Sequence, residues 1–518
     1  METGVINPTE KRKSYAKIAK VGVVWGFIRE AGTSLLILPT SMVLARLLTP
    51  EEAGIAAAAS FFMQLCARLT QFGFGASLVR TRTVTPAHLS SVFTVNLVIG
   101  FIAWGALTLF APLAGAFLRS ADAGALLPTA ALTFLIMPFG TVPTAIMSRE
   151  MRHVQGATSE WVGVAMESIV AIVLAWLGFS FWSLVYARLA ADSSRALCRL
   201  VMTRWFPHVG FSASAMREMF SFGAGMYSKH LLDFSAQNLD NLVVGRILGM
   251  TALGFYDKAF TTMHKLTRKL NLAGPAVSFR IFAMIHDEPE RFRKAYRKVI
   301  LSATVVGYAM VTGMIVVAHP LIEVLFGPRW LPAVVPFQIL CAAAYLRLLN
   351  TYASTATQAK GKIWSEVKRQ GLFTVVLVVA VSLFSRWGIT GAAFGVLTAT
   401  VAMTVMLQIL VRRLTKLSWW DLLSPQVPGV VCSVGLAAVL WGTLAAVRLL
   451  APGAPAIALL GAAMAAGGLY YLAFLMLSPF PEVRALVRET TVDLAPGVAK
   501  RLSWVDRPEK EVAVLSAR

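Results

Sequence analysis

The sequence predicts an all-α polytopic membrane protein, and composition, segment length and charge placement each support this fold class. The 518 residues are 57% hydrophobic and 14% charged, with a mean hydropathy of +0.67. A soluble domain carries about 25% charged residues. Apolar segments of about 20 residues, each long enough to cross a bilayer as one helix, recur along the chain. Barrel strands are shorter and alternate in polarity, so these segments are predicted to be helices.

The apolar segments predict about fourteen membrane-spanning helices. In chain order, the predicted spans are 21–45, 53–79, 90–112, 124–147, 159–178, 182–204, 218–245, 252–280, 298–318, 332–357, 365–385, 390–411, 427–447 and 456–477. An even number of spans returns the chain to the side of the membrane on which it started.

The placement of positive charge predicts that both termini are cytoplasmic. Lys and Arg in alternate connections and in the tails number 32 on one side of the predicted membrane and 6 on the other. Such a bias is the positive-inside pattern of membrane proteins. Because topology accounts for the formal net charge of +22, the charge does not indicate nucleic acid as a partner. The six cations of the outer side are Arg46, Arg119, Arg246, Arg329, Arg386 and Arg448.

An internal repeat predicts two similar halves. Eight residues between Arg46 and Arg80 recur at a fixed offset of 200, among them Gly54 with Gly254 and Arg68 with Arg268. We therefore expect an N-terminal lobe of six helices and a C-terminal lobe of six helices in the same orientation, with a transport pathway between them. The predicted organisation is an N-lobe at 1–210, a C-lobe at 211–420, two accessory helices at 421–478 and a basic cytoplasmic tail at 479–518.

Ten further cations, beyond the 38 counted in the tails and in the connections with the span ends next to them, fall inside the predicted helices. Each costs at least about 2.5–3.5 kcal/mol there on insertion scales. Helical spacing places many of them on shared faces, for example Lys258 and Lys265. We expect the faces to line one water-filled, cationic substrate cavity between the lobes. The ten are Arg29, Arg68, Arg188, Arg195, Lys229, Lys258, Lys265, Arg268, Lys269 and Arg347. The same faces carry Asp192, Asp233 and Asp240, which are the candidate carboxylates for ion coupling.

Each of these faces also has a purely structural interpretation. Lys265 and Lys269 can extend from the end of a long helix to the membrane surface. Lys229 and Asp233 can form an i,i+4 pair that stabilises one helix. Asp192 can belong to a buried ion-pair network with its neighbouring arginines. The functional interpretation is the more economical one, because several helices would each need a separate explanation.

The motifs of two segments resemble a known transporter family. "MVLARLLTPEEAGIAAAASFF…FGFGASLVR" near the start and "QNLDNLVVGRILGMTALGFYDKA" after the middle look like bacterial oligosaccharide-lipid flippases, the Wzx-type polysaccharide transporters of the multidrug/oligosaccharidyl-lipid/polysaccharide exporter superfamily. The resemblance covers roughly residues 10–480. It implies two six-helix lobes around a central cavity in the bacterial inner membrane.

That resemblance also implies a substrate. Such proteins move undecaprenyl-pyrophosphate-linked oligosaccharide units to the outer leaflet for lipopolysaccharide O-antigen, capsule or exopolysaccharide synthesis, next to polymerase and export machinery. An excess of intramembrane cations agrees with an anionic pyrophosphate, since Arg and Lys are the usual partners of phosphate oxygens. The glycan, the driving ion and a peptidoglycan precursor as substrate stay open.

Two other functions remain as alternatives. A multidrug or cation antiporter of the same superfamily would need carboxylates for organic cations, whereas cations predominate here. A membrane-embedded polysaccharide polymerase or ligase would need a sizeable extracytoplasmic segment, and every predicted outer connection is short. We find no nucleophile–base pattern, no glycine-rich phosphate loop and no metal-ligand spacing among the four cysteines. The sequence therefore predicts a transporter without enzymatic activity and without a cofactor.

Overall fold

A computed structural model describes residues 8–70, 74–81, 83–217, 234, 238–268, 274–361 and 363–494. Within these ranges every regular element is a helix, and they contain no β-strand. The chain divides into two compact units. Unit 1 comprises Met1–Asp257 with Leu325–Arg329, and unit 2 comprises Lys258–Val324 with Trp330–Arg518.

The described part of unit 1 contains eight complete helices, a helical stretch at 238–248 and the start of the helix that follows it. The numbered helices are α1 (Pro8–Leu47), α2 (Pro50–Thr70), α3 (Phe74–Arg80), α4 (Pro86–Leu118), α5 (Ala121–Ala130), α6 (Thr133–Arg149), α7 (His153–Trp176), α8 (Trp182–Thr203) and the first turns of α9 (Met250–Arg268). Helix α7 packs against α1 and α8, and α4 packs against α5 and α6. This arrangement brings the charged face of α8 against α6 and α7.

Unit 2 continues from Lys258 in α9. It contains α10 (Gly274–Met284), α11 (Pro289–Val316), most of α12 (Ala318–Phe326), α13 (Val334–Ala359), α14 (Ile363–Phe384), α15 (Gly388–Thr415), α16 (Trp419–Leu423), α17 (Val427–Leu450), α18 (Ala456–Leu477) and α19 (Pro481–Leu494). Helix α13 packs against α10, α11 and α15, so it lies at the centre of the unit. Helix α17 packs against α11 and α18.

Short aromatic helix α16 anchors the connection before α17. Its first turn is closed by a capping box, in which Ser418 and Asp421 each accept a hydrogen bond from the other's main-chain N–H. The Asp421 carboxylate also accepts hydrogen bonds from Arg293 (2.9 Å) and Arg297 (3.2 Å) of α11. With only 3% of its side chain exposed, Asp421 fixes α16 to the start of α11.

The all-α polytopic fold class is confirmed. In the described part of the chain, nine helical stretches are long and apolar enough to cross a membrane. Helices α8 and α9 are not among them, because each carries four charged side chains. The count of fourteen and the four-part division stay predictions, because most of the seventh predicted span, 218–245, lies outside the described residues.

Candidate functional site

Lysine 258 lies against a fully buried aromatic ring in unit 2. Its ammonium nitrogen is 5.5 Å from the centroid of the Trp330 ring, and Trp330 is 0% exposed. An ammonium group at this distance from an indole face is attracted by the ring quadrupole. Lys258 is therefore held in a partly buried position by the short 3₁₀ segment that precedes α13, rather than extending freely from α9.

A cluster of two arginines, one histidine and one phenylalanine is shared by α9 and α13. The guanidinium of Arg347 lies 5.7 Å from the Phe260 ring centroid, and Phe260 stacks on His264 with centroids 5.8 Å apart and ring planes at 4°. Arg347 and Arg268 both lie close enough to His264 to interact with it electrostatically. We call Phe260, His264, Arg268 and Arg347 the α9/α13 cluster.

Arg347 brings a positive charge to the α9/α13 cluster, and Lys265 lies on the same helix as Phe260 and His264. Among the described residues, Arg347 and Lys265 make no ion pair. The polar face of α13 does continue to a carboxylate, since Ser354 donates to Glu366 of α14 and Gln358 donates to both of them. Glu366 accepts these bonds from neutral donors, and Arg369 lies close enough to interact with it electrostatically. The arrangement suits an anion that approaches Arg347 from the side not covered by Phe260.

Unlike Arg347 and Lys265, the arginines Arg195 and Arg199 of α8 are paired with carboxylates. Arg195 donates to Asp192 (2.8 Å) and to Glu167 (3.2 Å), and its Nε lies 3.4 Å from Glu160. Arg199 pairs with the same Glu160 and donates to Ser159 Oγ (3.2 Å). These contacts join α7 to α8 inside unit 1.

Asp192 is the centre of this α8 network. It accepts hydrogen bonds from Thr133 of α6, from Arg195 and from Arg188 (3.2 Å). The side chains of Asp192 and Arg195 are 14% and 13% exposed, whereas Arg188 is 61% exposed. This geometry favours the structural interpretation of Asp192 and Arg195, and it leaves Arg188 as the accessible cation of the helix.

The remaining predicted site residues are scattered or not described. Arg29 and Arg68 are exposed, and within the described ranges Arg68 makes no ion pair. Asp240 is 1% exposed and accepts a hydrogen bond from the Tyr256 hydroxyl (2.8 Å), which places it in the interior of unit 1. Lys229, Asp233 and Lys269 lie outside the described residues. The assignment of the whole set to one cavity stays a prediction.

His264 was not among the residues predicted from the sequence. Phe260, His264 and Arg268 follow one another at intervals of four residues, which puts all three on one face of α9. Helical periodicity was also the basis for grouping Lys258 and Lys265, which are seven residues apart on this helix. The sequence search selected Lys, Arg, Asp and Glu, so it passed over a histidine. Arg347 belongs to α13, and only the packing of unit 2 brings it close to His264.

The chain matches the model of a family described as polysaccharide biosynthesis protein over residues 43–335, more than half of its length. It is 24% identical over 439 residues to the lipopolysaccharide biosynthesis protein WzxC of Escherichia coli K12, which covers 82% of this chain and 88% of the relative. It is 27% identical over 315 residues to the succinoglycan biosynthesis transport protein ExoT of Rhizobium meliloti, covering 61% and 64%.

Solved structures of related architecture agree on the fold. A structure of the lipid II flippase MurJ in an inward closed conformation matches with a TM-score of 0.66 and 12% identity, over 88% of this chain and 98% of that one. An inward-facing multidrug resistance MATE transporter matches with a TM-score of 0.58 and 16% identity, over 74% and 96%. At these identities the likeness concerns the fold alone.

Proposed function

Because the chain belongs to the family of polysaccharide biosynthesis proteins, we propose that it is a flippase for polyprenyl-pyrophosphate-linked oligosaccharides in the bacterial inner membrane. Both termini would face the cytoplasm, as the 32-to-6 distribution of cations predicts. Relatives named for lipopolysaccharide and succinoglycan biosynthesis support a surface polysaccharide as the end product. A polysaccharide polymerase and export machinery are the partners expected beside it.

The observation that carries the proposal is the charge of Arg347 in the α9/α13 cluster, which makes no ion pair within the described residues. Arg347 lies on α13, and the ring of Phe260 supports one face of its guanidinium. A guanidinium fork can bind two phosphate oxygens at once, and the bond is stronger where water is excluded. A pyrophosphate would bind to the Arg347 guanidinium there.

In this mechanism the two ends of the substrate are handled separately. The pyrophosphate and the first sugars leave the cytoplasmic leaflet and bind the cations of α9 and α13. The polyprenyl tail stays in the hydrocarbon of the bilayer, where each buried methylene is stabilised by about 0.8 kcal/mol. Alternating access then exposes the head group on the outer side. The chain's own cations thus replace the water that solvated the pyrophosphate.

A multidrug exporter is the second candidate, because a MATE transporter shares the fold. An organic cation needs an accessible carboxylate in the membrane. In the described part of the chain, the intramembrane acids of α7 and α8 are occupied by arginines, as Glu160 and Asp192 illustrate. The pairing of these acids with arginines therefore favours an anionic substrate over an organic cation.

The proposal is tested in the native bacterium by deleting the gene and extracting lipid-linked intermediates. We expect surface polysaccharide to disappear and complete polyprenyl-pyrophosphate oligosaccharides to accumulate in the membrane, and a plasmid copy should reverse both effects. If the accumulated lipid carried only single units that had already reached the outer leaflet, a polymerase role would replace the flippase role.

A further inference from the structure

We propose that the hairpin of α4 and α5 holds one acyl chain of an anionic phospholipid, with the lipid phosphate on Arg119. A groove of about 610 Å³ runs along this hairpin. Its walls are formed by small and apolar residues of both helices, including Ala116, Ala125 and Pro128, and it ends at Arg119 and Ser120 in the turn. This site is separate from the α9/α13 cluster and does not depend on the proposed function.

The groove exists because the two helices meet through glycine. A Cβ on Gly124 would lie 2.7 Å from the Ala111 carbonyl oxygen and 3.1 Å from the Gly115 Cα. Such a close approach requires glycine at position 124, whereas a Cβ on Gly115 would fit tightly, 3.2 Å from the Ser120 carbonyl oxygen. Since the residues beside this contact are small, no side chain fills the space on the exposed side of the hairpin. The packing therefore produces a long, shallow apolar channel.

The surroundings of the groove identify its occupant as hydrocarbon. Leu109 is 85% exposed and Leu113 is 61% exposed on the same helix. In a membrane-spanning helix, large apolar side chains with this exposure contact lipid rather than water. An occupant that enters from this side is an acyl chain of the bilayer.

Arg119 supplies the charge that selects the head group. It is the residue after α4 and has the left-handed conformation, with φ 55° and ψ 34°, which glycine usually adopts at the end of a helix. An arginine at such a position loses conformational free energy that glycine would not lose. The side chain is exposed and, within the described part of the chain, makes no ion pair. A lipid phosphate complements it.

The length of the groove distinguishes a phospholipid from the polyprenyl carrier. From Thr108 to Arg119 the helix rises about 16 Å, at about 1.5 Å per residue. One leaflet contributes about 15 Å of hydrocarbon to the bilayer core. The groove is therefore about as long as the hydrocarbon of one leaflet, which matches an acyl chain and is far shorter than a polyprenyl chain. The predicted outer position of Arg119 places its phosphate in the outer leaflet.

The test is native mass spectrometry of the purified full chain with phosphatidylglycerol or with phosphatidylcholine of the same acyl chains. We expect the native protein to prefer phosphatidylglycerol and Arg119→Gly to lose about five-fold in that binding, as removal of one interfacial cation predicts. Arg119→Gly suits the left-handed backbone, so the hairpin should remain folded. Arg119→Lys should retain the preference, and Arg386→Gln should serve as the matched control, because Arg386 is another exposed cation of the predicted outer side.

A second variant tests the groove itself. Ala125→Phe places a ring in the channel and should reduce binding of both lipids. The proposal is overturned if Arg119→Gly binds phosphatidylglycerol like the native protein, if Arg386→Gln loses as much, or if Ala125→Phe retains both lipids unchanged.

Discussion

Gly54 and Gly254 pack against each other through their main chains. A Cβ on Gly54 would lie 1.8 Å from the carbonyl oxygen of Met250, and a Cβ on Gly254 would lie 1.8 Å from the carbonyl oxygen of Pro50. The two glycines are separated by the 200-residue offset of the internal repeat, and so are the two residues that they face. Helices α2 and α9 therefore cross at positions that are equivalent in the internal repeat. The repeated glycines form a close contact between these two helices.

Substitution of either glycine should destabilise this crossing. Gly54→Ala and Gly254→Ala each force two backbones apart, and overpacking of this kind costs about 1–3 kcal/mol. Gly105→Ala is the matched control, because a Cβ there meets nothing within 4 Å. We expect thermal unfolding of the purified protein to begin at a lower temperature in the first two variants and not in the control. Equal transition temperatures in all three would contradict the close approach.

Removal of Arg195 should destabilise unit 1 much more than removal of Arg188. Arg195→Met leaves Asp192, Glu160 and Glu167 without their shared cation, and breaking a buried ion pair costs about 3–5 kcal/mol. Arg188→Met removes an exposed side chain with one ionic contact, which is worth about 0–1 kcal/mol. Thermal unfolding of both variants makes the comparison. A similar small loss for each would show that the network contributes little to stability.

The anchor of α16 should depend on Asp421. Asp421→Ala removes the capping box and the acceptor for two arginines, and each hydrogen bond to a charged group contributes about 1.5–3 kcal/mol. Glu482→Ala is the control, since Glu482 is 56% exposed and makes one 3.5 Å contact with Arg297. Protease sensitivity of the connection between α15 and α17 should rise only in the first variant. Unchanged cleavage in Asp421→Ala would refute the anchor.

The cations of α9 should be required for export but not for folding. We expect Arg268→Ala to reach normal abundance in the membrane, because loss of an intramembrane charge removes a desolvation cost, and yet to support little surface polysaccharide. Arg268→Lys should retain partial export, and Arg68→Ala, its partner in the repeat, should show a related defect. Complementation of a flippase-deficient strain measures export, with Arg448→Ala as an exposed control. Full export by Arg268→Ala at native abundance would eliminate this role.

Membrane-spanning helices were predictable because length and hydrophobicity are local properties. The last predicted span, 456–477, has the bounds of α18, and 427–447 differs from α17 only at its end. The resemblance to oligosaccharide-lipid flippases is confirmed by the family model and by the relatives. Hydropathy could not locate the break between α5 and α6, because the residues on both sides of it are equally apolar.

Helical spacing could group charged residues of one helix, but it could not identify their partners on other helices. Arg195 and Asp192 were grouped by helical spacing, and that grouping is correct, since they form an ion pair three residues apart. Glu167 and Thr133 come from two other helices, so only the tertiary packing of unit 1 brings them to the network. The same reason applies to Arg347 of α13, whose position beside Phe260 depends on contacts between helices distant in sequence.

The most direct test of the flippase function is transport in vesicles that contain only the purified protein and a polyprenyl-pyrophosphate oligosaccharide. A sugar-binding lectin outside the vesicles would report the fraction that crosses the bilayer. We expect the native chain to transport this lipid, Arg347→Ala to be about ten-fold slower or more, since a charge-assisted hydrogen bond is worth about 1.5–3 kcal/mol, and a glycolipid without the pyrophosphate to stay behind. Transport no faster than in protein-free vesicles, or equal transport of the uncharged glycolipid, would contradict the account.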